Sequence, residues 1–454
     1  MSKSRIADPF TIDELSFRAC FSAPSLELFS ALVVGWVLTV GRHTISNVIL
    51  TMGLHESRHF AGVYRFVGRG CWAADMVSRI VYERLVEALV PRGADVLLVV
   101  DDTLNKHRGK KICGAGWQHD GSASGERKRK GYGLCFVIIG LAVRLNGVSH
   151  RFFCLPYAAR LWWPPRTKVK PATMAYKTKP QLALELIELT RSWTEDDRVI
   201  RVVTDRGYTC ETVINGRPER TEITGRISRC SALYELPPEP PQCSRGRPRK
   251  KGRRMPSPEE MFQDRTLPWE EMRTGSGRKQ RVRRLCGFDA IWYHALGNNP
   301  LRVVLSHDLS GTYSDTVFVD TNLSAPSNEV IGRYEARSSI EVTHHETKDL
   351  LGAADPQCRS EQSVVRTPLF AYWGYSLVVL WFVRHFQTAR RFVAEPGPWY
   401  RQKQCFSFSD MLAAARRSHF KVRFMKEPWE HGALPKFNVA RSARQTRHTG
   451  NAKL

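Results

Sequence analysis

The chemistry open to this chain is carried by four acids and one polar helix. Asp101 and Asp102 end the apolar run "DVLLVVDDT" (95–103), and Asp205 falls near the end of a second run, "RVIRVVTDRGY" (198–208). A carboxylate at the end of a buried strand is costly to desolvate without a compensating cation, so such acids point to a metal or a basic partner. If the two strands are neighbours, these groups converge at one edge of a sheet. The fourth acid lies in "YEARSSIEVTHHETK" (334–348), a stretch without glycine or proline. At about 100° per residue, one helix over this stretch places Tyr334, Arg337, Glu341 and Lys348 within an arc of about 60°, with His345 close to them. On the same wheel Glu335 and Glu346 point away and read as solvated charges. The shared face offers one carboxylate flanked by a hydroxyl and two cations. A carboxylate can hold a divalent cation, while Arg, Lys and Tyr can hold phosphate oxygens. Beside converging aspartates, that set describes two-metal phosphodiester chemistry, with ions ~3.5–4 Å apart clamping the attacking and leaving oxygens.

The elements that must position these groups can be read around them. Residues 1–90 read as helical, and "TISNVILTMGLHESRHFAGVYRFV" (44–67), broken at Gly53, has the outline of a helix-turn-helix. Strands are expected at 95–103, 132–145, 147–159 and 198–208, with a helix over 178–193 that Thr178 would cap. Such an order gives a mixed α/β domain. Residues 234–280 are rich in proline and then in charge, seven of the ten from Arg245 to Arg254 being basic. Strand-like segments follow at 281–296, 301–309 and 315–321, so a basic, β-rich insertion separates Asp205 from the polar helix. The stretch 366–392 reads as a long helix returning to the core, and 438–454 as a basic, disordered tail. The expected organisation is a helical DNA-binding domain (1–90), a first core part (91–215), the insertion (216–326), a second core part with C-terminal helices (327–437) and the tail (438–454).

Composition narrows the partners. With 69 Lys+Arg against 44 Asp+Glu the net charge is +25, a field that attracts polyanions, above all nucleic acid. Eleven cysteines without a CxxC pair fit reduced thiols better than a disulfide framework or a zinc site. No secretory signal opens the chain, and the longest apolar runs (28–40 and 369–383) fall short of the ~20 residues of a membrane span. A cytoplasmic, nucleoid-associated protein with no membrane contact is expected.

The spacing Tyr334, Arg337, Glu341, Lys348 resembles the Y-R-E-K signature of DDE transposases in bacterial insertion sequences, the group around the family numbered four and its relative numbered 701. "VVDDT" and "VVTDRGY" resemble the first and second aspartate motifs of that group, in the same order. The resemblance runs from the helix-turn-helix-like region to "FSFSDMLAAARR" (406–416). It implies a ribonuclease H-like core with a β-rich insertion between the second aspartate and the glutamate. It also implies Mg²⁺ or Mn²⁺, two ions per site, held by an Asp, Asp, Glu triad. Carried over, the triad is Asp102, Asp205 and Glu341, with Asp101 as the alternative first acid, because the motif usually reads as an acid followed by Thr. Tyr334, Arg337 and Lys348 would grip phosphates. The implied partners are double-stranded DNA, as element ends and as target, and a second copy of the chain in a homodimer assembled on DNA.

Two further features bear on DNA. "RGRPRKKG" (245–252) resembles an AT-hook, in which Arg245 and Arg247 would enter a minor groove. Trp292, in the insertion, lies where relatives place aromatics that stack on an extruded base. The loop "GKKICGAGWQHDGSASGERKRKGYG" (109–133) lacks GxxxxGK[ST] and is no P-loop. The competing functions are a regulatory DNA-binding protein that keeps the fold without catalysis, and a ribonuclease H-fold nuclease without transposition.

Overall fold

The computed structural model describes residues 9–121, 130–238, 249–274, 281–309, 311, 314–390, 393 and 405–426. Six helices come first: α1 (Glu14–Phe17), α2 (Ala23–Leu38), α3 (Ile45–Thr51), α4 (Leu54–Ser57), α5 (Phe60–Arg69) and α6 (Ala74–Leu89). Thr44 caps α3, and Gly53 takes a left-handed φ of 67° at the turn into α4. Then follow β1 (Val96–Lys106), β2 (Gly116–His119), β3 (Lys130–Arg144), β4 (Phe152–Trp162), α7 (Lys179–Trp193), β5 (Ile200–Thr204), α8 (Glu211–Gly216) and β6 (Thr221–Ile227). Thr178 caps α7 through a capping box with Gln181. The next elements are α9 (Pro258–Met261), β7 (Glu270–Thr274), β8 (Arg281–Ile291), α10 (Tyr293–Leu296), β9 (Pro300–Asp308) and β10 (Thr316–Asp320). Helices α11 (Ser327–Tyr334), α12 (Arg337–Leu351), α13 (Glu361–Arg384), α14 (Phe386–Ala389) and α15 (Phe408–Lys426) end the described chain.

All ten strands belong to one sheet. Its core order is β4-β3-β1-β5-β6. The first three strands are antiparallel, and β5 and β6 run parallel to β1. Parallel neighbours need crossovers, which α7 and α8 supply. This is the expected ribonuclease H-like arrangement, preceded by helices. The insertion strands do not form a sheet of their own: β10 pairs with β6, and β9, β8 and β7 follow outward, all antiparallel.

Alternation along β1 and β5 decides what each face presents. Val99 and Val203 pack with Ala336, just before α12, and Ile340 of α12, while Leu98, Val100 and Val202 join the large core that contains Leu182 and Leu186 of α7. Side chains two residues apart share a face, so odd positions of these strands look at α12 and even ones at α7. The N-terminal helices share that large core. Trp36 stacks on Phe370 of α13, and its indole N–H donates to the Leu351 carbonyl at 2.8 Å. Among the described residues no helix is long and apolar enough to cross a membrane.

Gly352 ends α12 in a left-handed conformation, φ 55°. A Cβ there would lie 2.6 Å from the Cβ of His43, whose own N–H donates to Asp355 at 2.8 Å. Gly352→Ala therefore combines backbone strain with a collision, and is expected to cost about 2 kcal/mol. Chemical denaturation of the full chain would read this as a lower midpoint.

Candidate active site

Three carboxylates from three elements meet around one guanidinium. Arg337, the first residue of α12, donates to Asp101 Oδ2 on β1 at 3.1 Å and lies 4.0 Å from Asp205 Oδ2, just past β5. One turn on, Glu341 accepts from the same guanidinium. Asp101 and Asp205 occupy odd positions and so face α12. Asp205 is held by its own turn, accepting from the Gly207 N–H at 2.8 Å. Glu341 is 62% exposed and borders the cleft.

Asp102 is turned to the opposite face. It accepts from Lys179 Nζ at 2.5 Å, from the Tyr208 hydroxyl at 2.7 Å and from Cys135 Sγ at 3.3 Å. The motif reading favours Asp102 over Asp101 as the acid that joins Asp205 and Glu341; the structure brings Asp101 to them instead. The reason is the strand's period of two, which no sequence motif orients by itself.

The two aspartates differ electrostatically as well. Burial pushes Asp101 up to about 7, against the pull of Arg337 and with the help of neighbouring Asp102 and Asp205. Burial also acts to raise Asp102, but Lys179, Tyr208 and Cys135 outweigh it and hold that carboxyl below its ordinary value. His344, buried on α12, has its Nε2 3.8 Å from Asp101, and neither ring nitrogen has a hydrogen-bond partner. Burial, with Lys348 and Arg337 nearby, takes it down to about 3, so the imidazole is neutral.

The polar helix departs from its sequence reading in several ways. It is two helices, since α11 stops at Tyr334 and Glu335 and Ala336 form a turn before α12. The stripe of α12 that packs inward is Ile340, Thr343, His344, Thr347 and Leu351. Glu341 sits at the border of that stripe, not at its centre. Consequently His344 lies against the acids, while His345 is exposed and paired with Asp349 at 3.2 Å. Tyr334 does reach the site: its ring packs on Phe318 of β10, 4.8 Å between centroids. With Arg337, Glu341 and Arg226 it lines a cleft of about 450 Å³. Lys348 reaches elsewhere, donating to the Leu104 carbonyl at 3.0 Å, and burial lowers its pKa. Nor is Glu346 a solvated charge. It accepts from the Tyr375 hydroxyl at 2.8 Å and faces Arg151 at 3.6 Å, and burial raises its pKa. Glu335 pairs with Arg144 across an exposed 3.3 Å contact.

Trp292 lies at the other edge of the sheet. Arg283 pairs with Asp308 at the end of β9 nearest the carboxylates, whereas Ile291 pairs with Pro300 at the far end, and Trp292 follows Ile291. Its ring is half-buried against the core. Arg245 and Arg247 fall outside the described residues. Beyond them, Lys251 stands 3.7 Å over the Tyr234 ring, which is tied to Ile291 at that same far edge.

The family of the chain is given by comparison with known families. The family described as DDE superfamily endonuclease matches residues 16–286, more than half of the chain, from the N-terminal helices through β8. The chain belongs to the DDE endonuclease superfamily. No curated protein matches it. Membership gives nuclease-type, divalent-metal-dependent chemistry on DNA in general terms, and the match includes the strands that carry Asp101, Asp102 and Asp205 but stops short of α12.

The residues present can be tested against the metal that a DDE enzyme needs. Asp101, Asp205 and Glu341 are hard oxygen donors of the kind Mg²⁺ and Mn²⁺ prefer. The raised Asp101 and the unpartnered His344 ring show a pocket in which burial outweighs the charge that Arg337 supplies to Asp101. As placed, the acids meet through Arg337, and among the described residues no group of three or more His, Cys, Asp or Glu could hold a metal. The donor types thus suit such a cation, while their present spacing is set by the guanidinium that stands as their counter-ion.

The groups missing from the sequence reading are Lys179, Tyr208 and Cys135 around Asp102, and His344 beside Asp101. Only the capping of α7 at Thr178 carried any signal, since it fixes where the next residue, Lys179, begins its helix.

Proposed function

We propose that this DDE endonuclease is a DNA transposase of the insertion-sequence type, with Asp101, Asp205 and Glu341 as its metal-binding carboxylates. The observation that carries this reading is the gathering of those three acids around Arg337 at one edge of the sheet. The spacing Tyr334, Arg337, Glu341, Lys348 supports it as the Y-R-E-K signature.

Bound Mg²⁺ or Mn²⁺, as a pair, would activate water or a 3′-hydroxyl for in-line attack and stabilise the leaving oxygen. The chain's own residues set up that chemistry. β1 and β5 hold Asp101 and Asp205 on one face, and the turn at Glu335 and Ala336 starts α12 where Glu341 can complete the set. Arg337 neutralises these acids here, and with a cation held by them its guanidinium would be free to hold a phosphate oxygen. Tyr334 closes the cleft on the side of the insertion strands and offers its hydroxyl to the same backbone. Lys348, bound to Leu104, keeps the end of β1 against α12. The partners on this reading are element ends and target DNA, brought together by a homodimer on DNA.

The test is cleavage and joining of a DNA fragment bearing the element's own ends by the full chain, with Mg²⁺ and with EDTA. Strand cleavage that needs the metal, followed by joining to a second DNA, is the expected result. End binding without cleavage at any metal concentration would replace the transposase by a regulatory DNA-binding protein. Cleavage without joining would leave a nuclease.

A further inference from the structure

Trp117 is the third most exposed large apolar side chain among the described residues, 67% exposed, and it stands in a basic groove. It lies on β2, opposite Tyr132 of β3, and the two rings meet edge to face with centroids 5.6 Å apart. The groove, about 790 Å³, has Pro164 as a further apolar wall and Arg108, Lys110, Lys130, Arg166 and Lys168 around it. These five cations are exposed, and none has an ion-pair partner among the described residues. Beyond its contact with Tyr132, an exposed indole amid uncompensated cations gains little in the chain alone. It suits a ligand with a flat π-face and several phosphates.

Register relates this groove to the acids. Asp101 pairs with Ile138 on β3, and Ile138, Phe136, Leu134 and Tyr132 alternate to one face, where Tyr132 pairs with Trp117. Trp117 thus looks to the face on which Asp101 meets α12, six residues or roughly 20 Å along the strand. The groove also continues the other way. It shares His107 and Arg108 with a cavity that contains Arg42 and Arg359, and Arg359 is shared in turn with one lined by Tyr64, Arg65 and Arg69 of α5. A cationic track therefore runs from α5 past the end of β1 to Trp117.

We infer that this groove binds single-stranded DNA, with an unpaired base stacked on Trp117 and the backbone held by Arg108, Lys110, Lys130, Arg166 and Lys168. It deepens the transposase reading by placing the unpaired strand, and in that sense rests on it. Binding itself needs no catalysis, so the two can fail separately.

The test uses the full chain in EDTA, with a labelled single-stranded oligonucleotide and a blunt duplex of mixed sequence, titrated by fluorescence polarisation. Trp117→Ala is expected to weaken single-strand binding roughly tenfold and to leave blunt-duplex binding unchanged, because stacking acts on unpaired bases. Trp117→Phe should stay within about threefold of wild type, since it keeps a ring. Lys110→Ala with Lys168→Ala should lower the salt dependence of single-strand binding by about 1.4 in the log–log slope. An equal loss on both DNAs, an unchanged affinity in Trp117→Ala, or tighter binding of the matching RNA would each overturn the assignment. A chain that binds through Trp117 yet never cleaves would remove the transposase reading and keep this one. A cleaving enzyme indifferent to Trp117 would do the reverse.

Discussion

Glu341→Gln is expected to abolish metal-dependent strand cleavage, by a factor on the order of 10³ or more, while Glu346→Gln leaves it within about threefold. The two glutamates lie five residues apart on α12, but their surroundings separate them. Glu341 borders the cleft and accepts from Arg337, which also bonds Asp101. Its amide counterpart keeps the shape and loses the charge that a divalent cation requires. Glu346 is turned into the packing between α12 and α13, where it accepts from Tyr375 and faces Arg151. A glutamine can still accept from Tyr375, so the cost is a weakened ion pair of about 1 kcal/mol in stability. Cleavage assays on the two purified variants, alongside DNA-binding titrations, check this. Binding should survive in both. Equal activity in Glu341→Gln and wild type would remove Glu341 from the site.

The second expectation concerns neighbours that a sequence motif cannot separate. Asp101→Asn should abolish cleavage to a similar extent and yet stabilise the free protein at alkaline pH. Asp102→Asn should retain cleavage and lose stability. The sign for Asp101 follows from its pKa, about 7 in the fold against about 3.9 for an unfolded aspartate. Its ionisation therefore favours the unfolded chain. The cost is absent below about pH 4, grows between pH 4 and 7, and is constant above, on the order of a few kcal/mol at most. Asparagine removes that cost, and Arg337 keeps Glu341 and Asp205 nearby. Asp102 behaves oppositely, because its folded pKa lies below the ordinary value. It stabilises the fold above the unfolded pKa, and that stabilisation fades as pH falls. Asparagine there leaves Lys179 largely buried without its partner, a loss of about 2 kcal/mol at pH 8. Urea unfolding of both variants at pH 4 and pH 8 reads the stabilities, and cleavage at pH 8 reads the chemistry. A stable, active Asp101→Asn would return the first acid to Asp102.

How much of this was legible beforehand depends on the kind of signal. The apolar runs before Asp101 and Asp205 marked buried strands, because burial on both faces leaves a continuous hydrophobic stretch, and the structure pairs them in parallel. Thr178 marked the start of α7 correctly, through a capping pattern that is local in sequence. The face of a helix was harder to assign. Counting from Tyr334 assumed one uninterrupted helix whose polar arc faced the site, whereas α12 starts at Arg337 and buries Ile340, Thr343 and His344. Lys348 and Glu346 were displaced by the same error. Strand pairing was beyond reach as well: nothing local says that β10 joins β6, so the insertion read as a separate body although its strands widen the core sheet. Trp292 was misjudged for that reason, since only the direction of β8 reveals which edge it occupies.

The placement of α12 has a consequence for the timing of synthesis. Residues 101 and 205 leave the ribosome early, but the third carboxylate arrives only with residue 341, and α12 is pinned only when Leu351 meets Trp36 and α13 packs over β4. The intervening chain must first add β10 to the edge of β6 before α11 can deliver α12 to β1. On the proposed assignment, a nascent or prematurely terminated polypeptide that already holds its N-terminal helices and both aspartates would lack the third carboxylate and would not cut. Capacity to damage the genome would then appear only after α12 and α13 have been made.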